Sequence, residues 1–264
     1  MGKILRKLSK PSRGKIILFF GLIATGIIWH FAAIAIDAPI RLPHFLEMMQ
    51  TFIANWTDER VLDNLAITLW RVLRGVGTAT LIGLPLSLIM GFSKTTRDAL
   101  APVMNSIRQI PMMAWVPMGI LWFGLGDGPT VFLITLCALF PLMLSTISGV
   151  LGIDSNYINA AKSMGASNLR IFFTIILPGV FPSFLTGLRT SIGLGWMVVM
   201  CAEFVATSSG FGFLLMESQI RFQTARLFSL MLMAAVVGYA IDRILLLIEK
   251  ALTSWRFRNA AENQ

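Results

Sequence analysis

Residues able to bind a metal or act as a nucleophile are scattered in this 264-residue chain. His30 stands inside a long apolar stretch and His44 follows that stretch, and neither has a second ligand at metal-site spacing. Cys137 and Cys201 lie in apolar stretches without CxxC spacing, so we expect them to pack as small hydrophobic residues. Ser209 is followed by Gly-Phe-Gly, but no histidine is placed to act as its base. These residues predict neither a metal site nor a nucleophilic active site.

Charged and aromatic residues within the apolar stretches form a second set of candidates. Arg189 and Glu203 are 14 residues apart in one stretch and so share nearly the same helix face. Arg189 either attracts an anion along a translocation path or forms a structural ion pair, and both interpretations stay open. For Glu203 a structural pairing is favoured over a role in gating or in contact with a partner protein. Trp115 and Trp196 either line the same path or anchor helices at the membrane surface.

The sequence contains no phosphate-binding loop of the GxxxxGK[ST] type. The nearest approximation, residues 91–95, reads Gly-Phe-Ser-Lys-Thr and lacks the glycine before the lysine. We therefore expect no ATPase site and no bound cofactor in this chain.

Composition places these residues in a membrane protein. Hydrophobic residues make up 56% of the chain and charged residues only 13%, where soluble domains carry about 25% charged residues. The apolar residues come in blocks near the roughly 20 residues that a helix needs to cross a bilayer. The net charge of +9 is not gathered into one stripe, so we expect contact with lipid and none with nucleic acid.

Six apolar segments are candidates for membrane-spanning helices. They cover residues 16–36, 76–90, 112–123, 131–150, 178–205 and 228–248. Residues 64–74 lead into the second segment, and residues 37–63 predict an amphipathic helix on the outer membrane surface. The third segment is short, and we expect part of residues 99–109 to extend it.

The distribution of basic residues orients these segments. With six crossings, 14 basic residues lie inside and four outside, whereas five crossings give 11 inside and seven outside. Six crossings agree better with the positive-inside rule and place both termini in the cytoplasm. The expected organisation is a basic tail over residues 1–15, a single transmembrane domain over residues 16–250, and a second tail over residues 251–264.

A 26-residue cytoplasmic segment, residues 152–177, separates the fourth and fifth spans. We expect Ala160, Ala161 and Met164 to share one face of a short helix, with Gly165 as its end. Such a face would fit closely into a groove on another protein. The residues expected to form this contact are Asn159, Ala160, Ala161, Lys162, Ser163, Met164, Gly165, Ala166 and Ser167.

This segment resembles the EAA loop of bacterial ABC importer permeases, whose pattern is Glu-Ala-Ala, three residues, Gly, nine residues, Ile, one residue, Leu-Pro. Asn159 stands in place of the Glu, and the other positions match, ending at Leu177 and Pro178. The departure at Asn159 affects any salt bridge made there, but not the helix. Further motifs resemble the permeases for taurine, alkanesulfonates, nitrate and bicarbonate, namely Arg108-Gln109-Ile110-Pro111, Ala114-Trp115-Val116-Pro117, Leu121-Trp122-Phe123-Gly124, Gly187-Leu188-Arg189, Gly195-Trp196 and Ala202-Glu203.

The resemblance implies an all-α membrane protein of the type I ABC importer permease kind, with six transmembrane helices and a cytoplasmic coupling helix between the fourth and fifth. It implies a second permease copy, two ABC ATPase subunits that hold ATP and Mg²⁺, and a periplasmic substrate-binding protein. The expected location is the bacterial inner membrane. The expected substrate is a small anion of the sulfonate, taurine, nitrate or bicarbonate class.

Two other classes of function stand as alternatives to the importer. An ion-coupled secondary carrier would use Arg189 and Glu203, but a carrier has no need of a helix that faces an ATPase. An intramembrane enzyme would need paired acidic, histidine or cysteine ligands in the spans, and the sequence does not supply them.

Overall fold

The computed structural model describes residues 13–253, and this range is helical apart from short connections. The predicted all-α class is therefore confirmed. Residues 1–12 of the predicted basic tail, and the predicted second tail from residue 254 onward, lie outside the described residues.

Eleven α-helices and two short helical turns follow one another in the described part of the chain. They are α1 (Arg13–Ile36), α2 (Phe45–Asn55), α3 (Glu59–Phe92), α4 (Lys94–Arg108), a 3₁₀ turn (Met112–Trp115), α5 (Val116–Phe123), α6 (Asp127–Leu151), α7 (Ser155–Ser163), α8 (Asn168–Ile171), a π-helical turn (Phe172–Ile176), α9 (Leu177–Ala206), α10 (Phe211–Ile220) and α11 (Thr224–Leu252).

Four helical stretches are long and apolar enough to cross a membrane, and they are α3, α6, α11 and the continuous helical stretch Asn168–Ala206 that includes α9. Two shorter apolar stretches, Ile23–Ile36 and Met112–Phe123, fall at the first and third predicted positions. The six predicted apolar segments are thus all helical, and the short helix α7 lies between the fourth and fifth.

The structure agrees with the expected second segment and differs at the third. Residues 64–74 lead into the second segment as expected, within α3, which runs unbroken for 34 residues from Glu59. The expected extension of the third segment is wrong: α4 ends at Arg108, and a new helical turn starts at Met112 after Pro111. Pro111 lacks a backbone N–H and disfavours a helical backbone at Ile110, and both effects favour the end of α4 before it, although Pro102 is accommodated inside that helix.

The described residues divide into two compact units. One contains α1, α2 and residues 217–233, and the other contains residues 59–216 and α11 from Ala234 onward. The second unit is centred on α6, which packs along both α3 and α9. Side chains with at most 1% exposure, including Leu133, Ile134 and Leu142, form its centre.

Small residues allow α6 and α9 to approach closely. A Cβ placed on Gly187 would lie 2.8 Å from the Cβ of Ser145, which is closer than real contacts allow. The Ser145 hydroxyl donates to the Ser183 carbonyl at 2.6 Å, and the Ser191 hydroxyl donates to the Ala138 carbonyl at 2.7 Å. Small residues and hydroxyl-to-backbone bonds are the usual means by which helices associate in a membrane.

In the other unit, α2 is the predicted amphipathic helix. Met48 and Asn55 are buried, whereas Leu46 and Ile53 are each 66% exposed. The Asn55 side-chain amide donates to the Ser229 hydroxyl at 2.9 Å, and the Trp29 indole N–H donates to the Pro43 carbonyl at 3.1 Å. These bonds hold both ends of α2 within the unit.

Candidate functional site

Local hydrogen bonds define the ends of the short helices between α6 and α9. Asp154 caps α7 by accepting from the Asn156 N–H at 2.9 Å, and Ser167 caps α8 by accepting from the Arg170 N–H at 3.4 Å. Gly165, with φ +79°, ends α7 in a Schellman motif. Glycine adopts this backbone conformation without a steric penalty. The predicted helix and its end at Gly165 therefore form as expected.

The inner face of this segment packs on the chain's own core. Ala161 is only 8% exposed and clusters with Ile171, Ile176, Val150 and Val180. The expectation that Ala160, Ala161 and Met164 share one docking face is therefore corrected, because Ala161 points inward. Its small side chain serves the attachment of α7 to the start of α9 instead.

The outer face of the segment exposes large apolar side chains. Met164 is 81% exposed, Leu169 71% and Tyr157 68%. Polar and charged residues lie next to them in the sequence, including Asp154, Lys162 and Arg170. A small exposed patch of this kind, rimmed by polar residues, is typical of a protein contact surface.

A π-helical turn, Phe172–Ile176, joins α8 to α9. Turns of this kind are uncommon and recur at functional positions in helices. Beside it a cleft of about 700 Å³ opens between the end of α6 and the start of α9, lined by Gly149, Gly152, Asp154 and Tyr157 among others. The exposed segment is thus continuous, through one helical turn, with the long helix α9.

Arg189 of α9 forms ion pairs with two carboxylates of α11. Its guanidinium lies 3.0 Å from Asp242 and 3.2 Å from Glu249. Glu249 also accepts a 2.6 Å hydrogen bond from the Thr186 hydroxyl, one turn earlier on α9. The Arg189 side chain keeps 31% exposure and so remains partly accessible. The structural pairing that the sequence left open is present, while attraction of an anion stays a prediction.

Glu203 lies fully buried near the other end of α9. Its carboxylate pairs with the Arg71 guanidinium at 2.7 Å and accepts from the Gly212 N–H at 2.8 Å. The Thr68 hydroxyl lies 2.9 Å from each carboxylate oxygen. Arg71 itself also pairs with Asp127 at 2.8 Å. Burial of a carboxylate is tolerated only when it is paired and hydrogen-bonded in this way.

Two further bonds extend this buried cluster to the loop after α9. Arg71 donates to the carbonyl and the hydroxyl of Ser209, each at 2.8 Å. The Asn64 side chain accepts from the Gly210 N–H at 2.6 Å. The cluster therefore joins α3, the start of α6, the end of α9 and the start of α10.

The sequence interpretation missed Arg71, Asp127 and Asn64. Residues 64, 68 and 71 follow the spacing of four and three that puts them on one helix face, and this spacing was the available signal. The partner across that face, Glu203, was not predictable because it is 132 residues away from Arg71.

The two tryptophans proposed for the path both take part in packing. Trp196 is 7% exposed, and a Cβ placed on Gly238 of α11 would lie 2.7 Å from its indole nitrogen. Trp115 is half-buried with its ring centre 6.4 Å from that of Phe132. A role in the path stays a prediction for each.

Comparison with known proteins identifies the family. Residues 83–254 match the family described as the inner membrane component of binding-protein-dependent transport systems. The chain belongs to this family. A putative ABC transporter permease of Methanocaldococcus jannaschii is 33% identical to this permease over 87% of the chain and 88% of the relative. The taurine transport system permease protein of Escherichia coli K12 is 31% identical over 86% and 84%.

The permease also shares its fold with solved transporters. A chain from the inward-facing MetNI methionine ABC transporter superposes with a TM-score of 0.65 and 17% identity, covering 73% of the permease and 96% of that chain. The predicted resemblance and the type I ABC importer permease fold are both confirmed. The matched family region begins within α3 and includes the segment α7–α8 and all of α9.

Proposed function

We propose that this permease is the membrane-spanning subunit of an ATP-driven importer for a small anion. In the proposed assembly, two copies of the permease form the path, two ATPase subunits bind ATP with Mg²⁺, and a substrate-binding protein delivers the anion from outside. The permease would cross the inner membrane several times, with both termini and residues 152–177 in the cytoplasm. The family's dependence on binding proteins supports this arrangement.

The exposed face of the segment α7–α8 is the observation that carries the proposal. Met164, Leu169 and Tyr157 are exposed although the segment is held firmly from behind by Ala161 and Ile171. A rigidly mounted apolar face can transmit a push from an ATPase subunit to the helix behind it. The residues Asn159 to Ser167 are therefore proposed as the coupling site, with Ala161 acting from the inner side.

The substrate class rests on the relatives and on charge. The taurine permease relative supports a sulfonate-type anion, and the motif resemblance extends the class to nitrate and bicarbonate. Arg189 would meet an anion only after Asp242 or Glu249 turns away, because both carboxylates now occupy its guanidinium. The secondary-carrier alternative gains no support, since Arg189 and Glu203 are both already paired within the chain.

The proposal is tested by ATPase retention and uptake. Met164→Asp places a charge on the exposed apolar face without touching the core, so the purified variant should lose its ATPase subunits and its ATP-dependent uptake in vesicles. Thr57→Asp adds the same charge at an exposed residue in the turn after α2 and should change neither. If the wild-type permease takes up its anion without any ATPase subunit, the importer proposal fails.

A further inference from the structure

The turn between α10 and α11 contains an unusual backbone conformation. Phe222 has φ +54°, and among the described residues only Asp37 shares a positive φ outside glycine. The Phe222 N–H donates to the Gln219 carbonyl at 3.1 Å, and the Gln223 N–H donates to the Ser218 carbonyl at 2.9 Å. These two bonds define a Schellman motif with Phe222 at its left-handed position.

The same motif elsewhere in the chain shows what that position normally holds. α7 ends with the same pair of bonds, and there the left-handed residue is Gly165. An L-residue is disfavoured in this conformation because its Cβ crowds the following carbonyl oxygen, and a bulky aromatic side chain has no local hydrogen bond to compensate. Phe222 is therefore held in a strained conformation.

Packing within the described chain does not offset this strain. The Phe222 side chain is 74% exposed, and Ile220 beside it is 66% exposed. A core role for Phe222 is excluded by this exposure. A strained residue that contributes little to the fold points to a contact outside the chain.

A cleft next to Phe222 provides room for such a contact. It has a volume of about 350 Å³, and Pro39, Ile40, Glu47 and Arg226 are among its other lining residues. The Thr224 hydroxyl donates to the Ile40 carbonyl at 2.9 Å and so fixes one edge of the cleft. Protein interfaces are enriched in aromatic residues and arginine, and this cleft has both in Phe222 and Arg226.

The surroundings favour a soluble protein over lipid. Residues 219–224 read Gln-Ile-Arg-Phe-Gln-Thr, so that Phe222 is flanked by polar residues on both sides. Arg221 forms an ion pair with Glu217 at 2.8 Å and keeps 58% exposure. A surface that faces the hydrocarbon core of the membrane would instead continue as an apolar run. In the proposed topology this turn is one crossing away from residues 152–177 and therefore lies outside the cell.

We propose that Phe222 and the adjoining cleft form a docking contact for the substrate-binding protein. The inference rests on the proposed importer function, because only an importer of this kind has such a partner on the outer side. Phe222 would insert into the binding protein as an anchor, with Ile220 beside it and the cleft receiving a projecting side chain of the partner.

The variant Phe222→Gly separates strain from binding. Glycine relieves the left-handed strain, so the melting temperature of the purified complex should rise by about 2–4 °C. Uptake at limiting binding protein should fall by about tenfold while the ATPase subunits stay bound. Phe222→Trp should keep most of the uptake because it retains a large aromatic side chain.

Asp37→Gly is the matched control. Asp37 is exposed and has φ +45°, so its replacement by glycine relieves a left-handed conformation at another helix end, by less than at Phe222 because aspartate tolerates this region better. It should leave uptake unchanged. Unchanged uptake, or a lower melting temperature, in Phe222→Gly would overturn the docking proposal.

Photo-crosslinking identifies the neighbour directly. With p-benzoylphenylalanine incorporated at position 222, the expected adduct in the assembled transporter contains the substrate-binding protein used in the uptake assay. Adducts only with lipid, or only with a second permease copy, overturn the proposal. Wild-type uptake with an unaffected Phe222→Gly variant refutes the docking contact alone, whereas absence of any ATP-dependent wild-type uptake refutes the importer function as well.

Discussion

At the scale of single residues, the two charges of α9 differ in how completely they are surrounded. Glu203 is fully buried, and its carboxylate oxygens accept hydrogen bonds from Arg71, Thr68 and the Gly212 N–H. Arg189 is partly exposed and pairs with carboxylates that are themselves 46% and 18% exposed. Within two helices of membrane-spanning character these pairs compensate the charge of Arg189, while its partly exposed side leaves room for a second contact.

Neutralising the whole Arg189 cluster distinguishes a structural role from anion recognition. Arg189→Gln alone leaves Asp242 and Glu249 without their cation and should reduce uptake under either role. Combining it with Asp242→Asn and Glu249→Gln removes the unpaired charges, so a purely structural cluster should regain most of its uptake. Uptake of the anion by each variant is the measurement.

If the triple variant stays inactive while its melting temperature matches that of the wild type, Arg189 contacts the anion. Arg243→Gln serves as a control. Arg243 lies in α11, 4.8 Å from the ring centre of Tyr239 in the same helix, and its replacement should leave uptake unchanged.

At the scale of elements, the close contact of α6 and α9 sets the geometry of the transmembrane region. Gly187 allows this approach, since a Cβ there would meet the Ser145 side chain and the Leu142 backbone. Backbone cannot move aside as a flexible side chain can. The position therefore tolerates no side chain without separation of the two helices.

Two glycines of α9 give opposite expectations for the same substitution. Gly187→Ala should destabilise the permease by about 1–3 kcal/mol through overpacking. Gly193→Ala should stabilise it by up to about 1 kcal/mol, because nothing lies within 4 Å of its added Cβ and alanine favours the helix. Thermal unfolding in detergent measures both, and equal shifts for the two variants would contradict the close packing.

The helices and their order were predictable, because an apolar block long enough to cross a membrane has few possible structures other than a helix. The Gly165 turn was also predictable, since glycine at a helix end has a known backbone role. The side toward which Ala161 points was not predictable. A nine-residue helix with small residues on several sides does not reveal which side packs on its own chain. The Arg71–Glu203 pair depends on contact between distant helices and so left no local signal.

At the scale of the whole molecule, the number of crossings decides which surfaces face each partner. Six crossings put residues 152–177 and the α10–α11 turn on opposite sides of the membrane, and charge counting supports this number. The short third stretch, Met112–Phe123, is the segment on which this assignment depends.

Thiol labelling tests the topology. In a background with Cys137→Ser and Cys201→Ser, and with the permease expressed without its ATPase subunits, we expect Asn159→Cys to react with a membrane-impermeant reagent only in inverted vesicles. Gln223→Cys should react only in right-side-out vesicles. Labelling of both positions from the same side would rule out this arrangement and leave the third stretch as a re-entrant segment.

The buried cluster around Glu203 also determines how α9 responds to force. Glu203 lies 26 residues beyond Leu177, a separation of about 39 Å along a helix. The cluster ties that far end to three other elements, whereas the near end adjoins the exposed segment. A rigid helix that is held near one end and displaced at the other turns about the end that is held. If α9 turns together with α6, which packs along it, a displacement of about 5 Å at Leu177 corresponds to a rotation of roughly 7° about Glu203 over this length. In the proposed transporter, movement of the coupling segment would then open the inner end of α9 far more than the outer end.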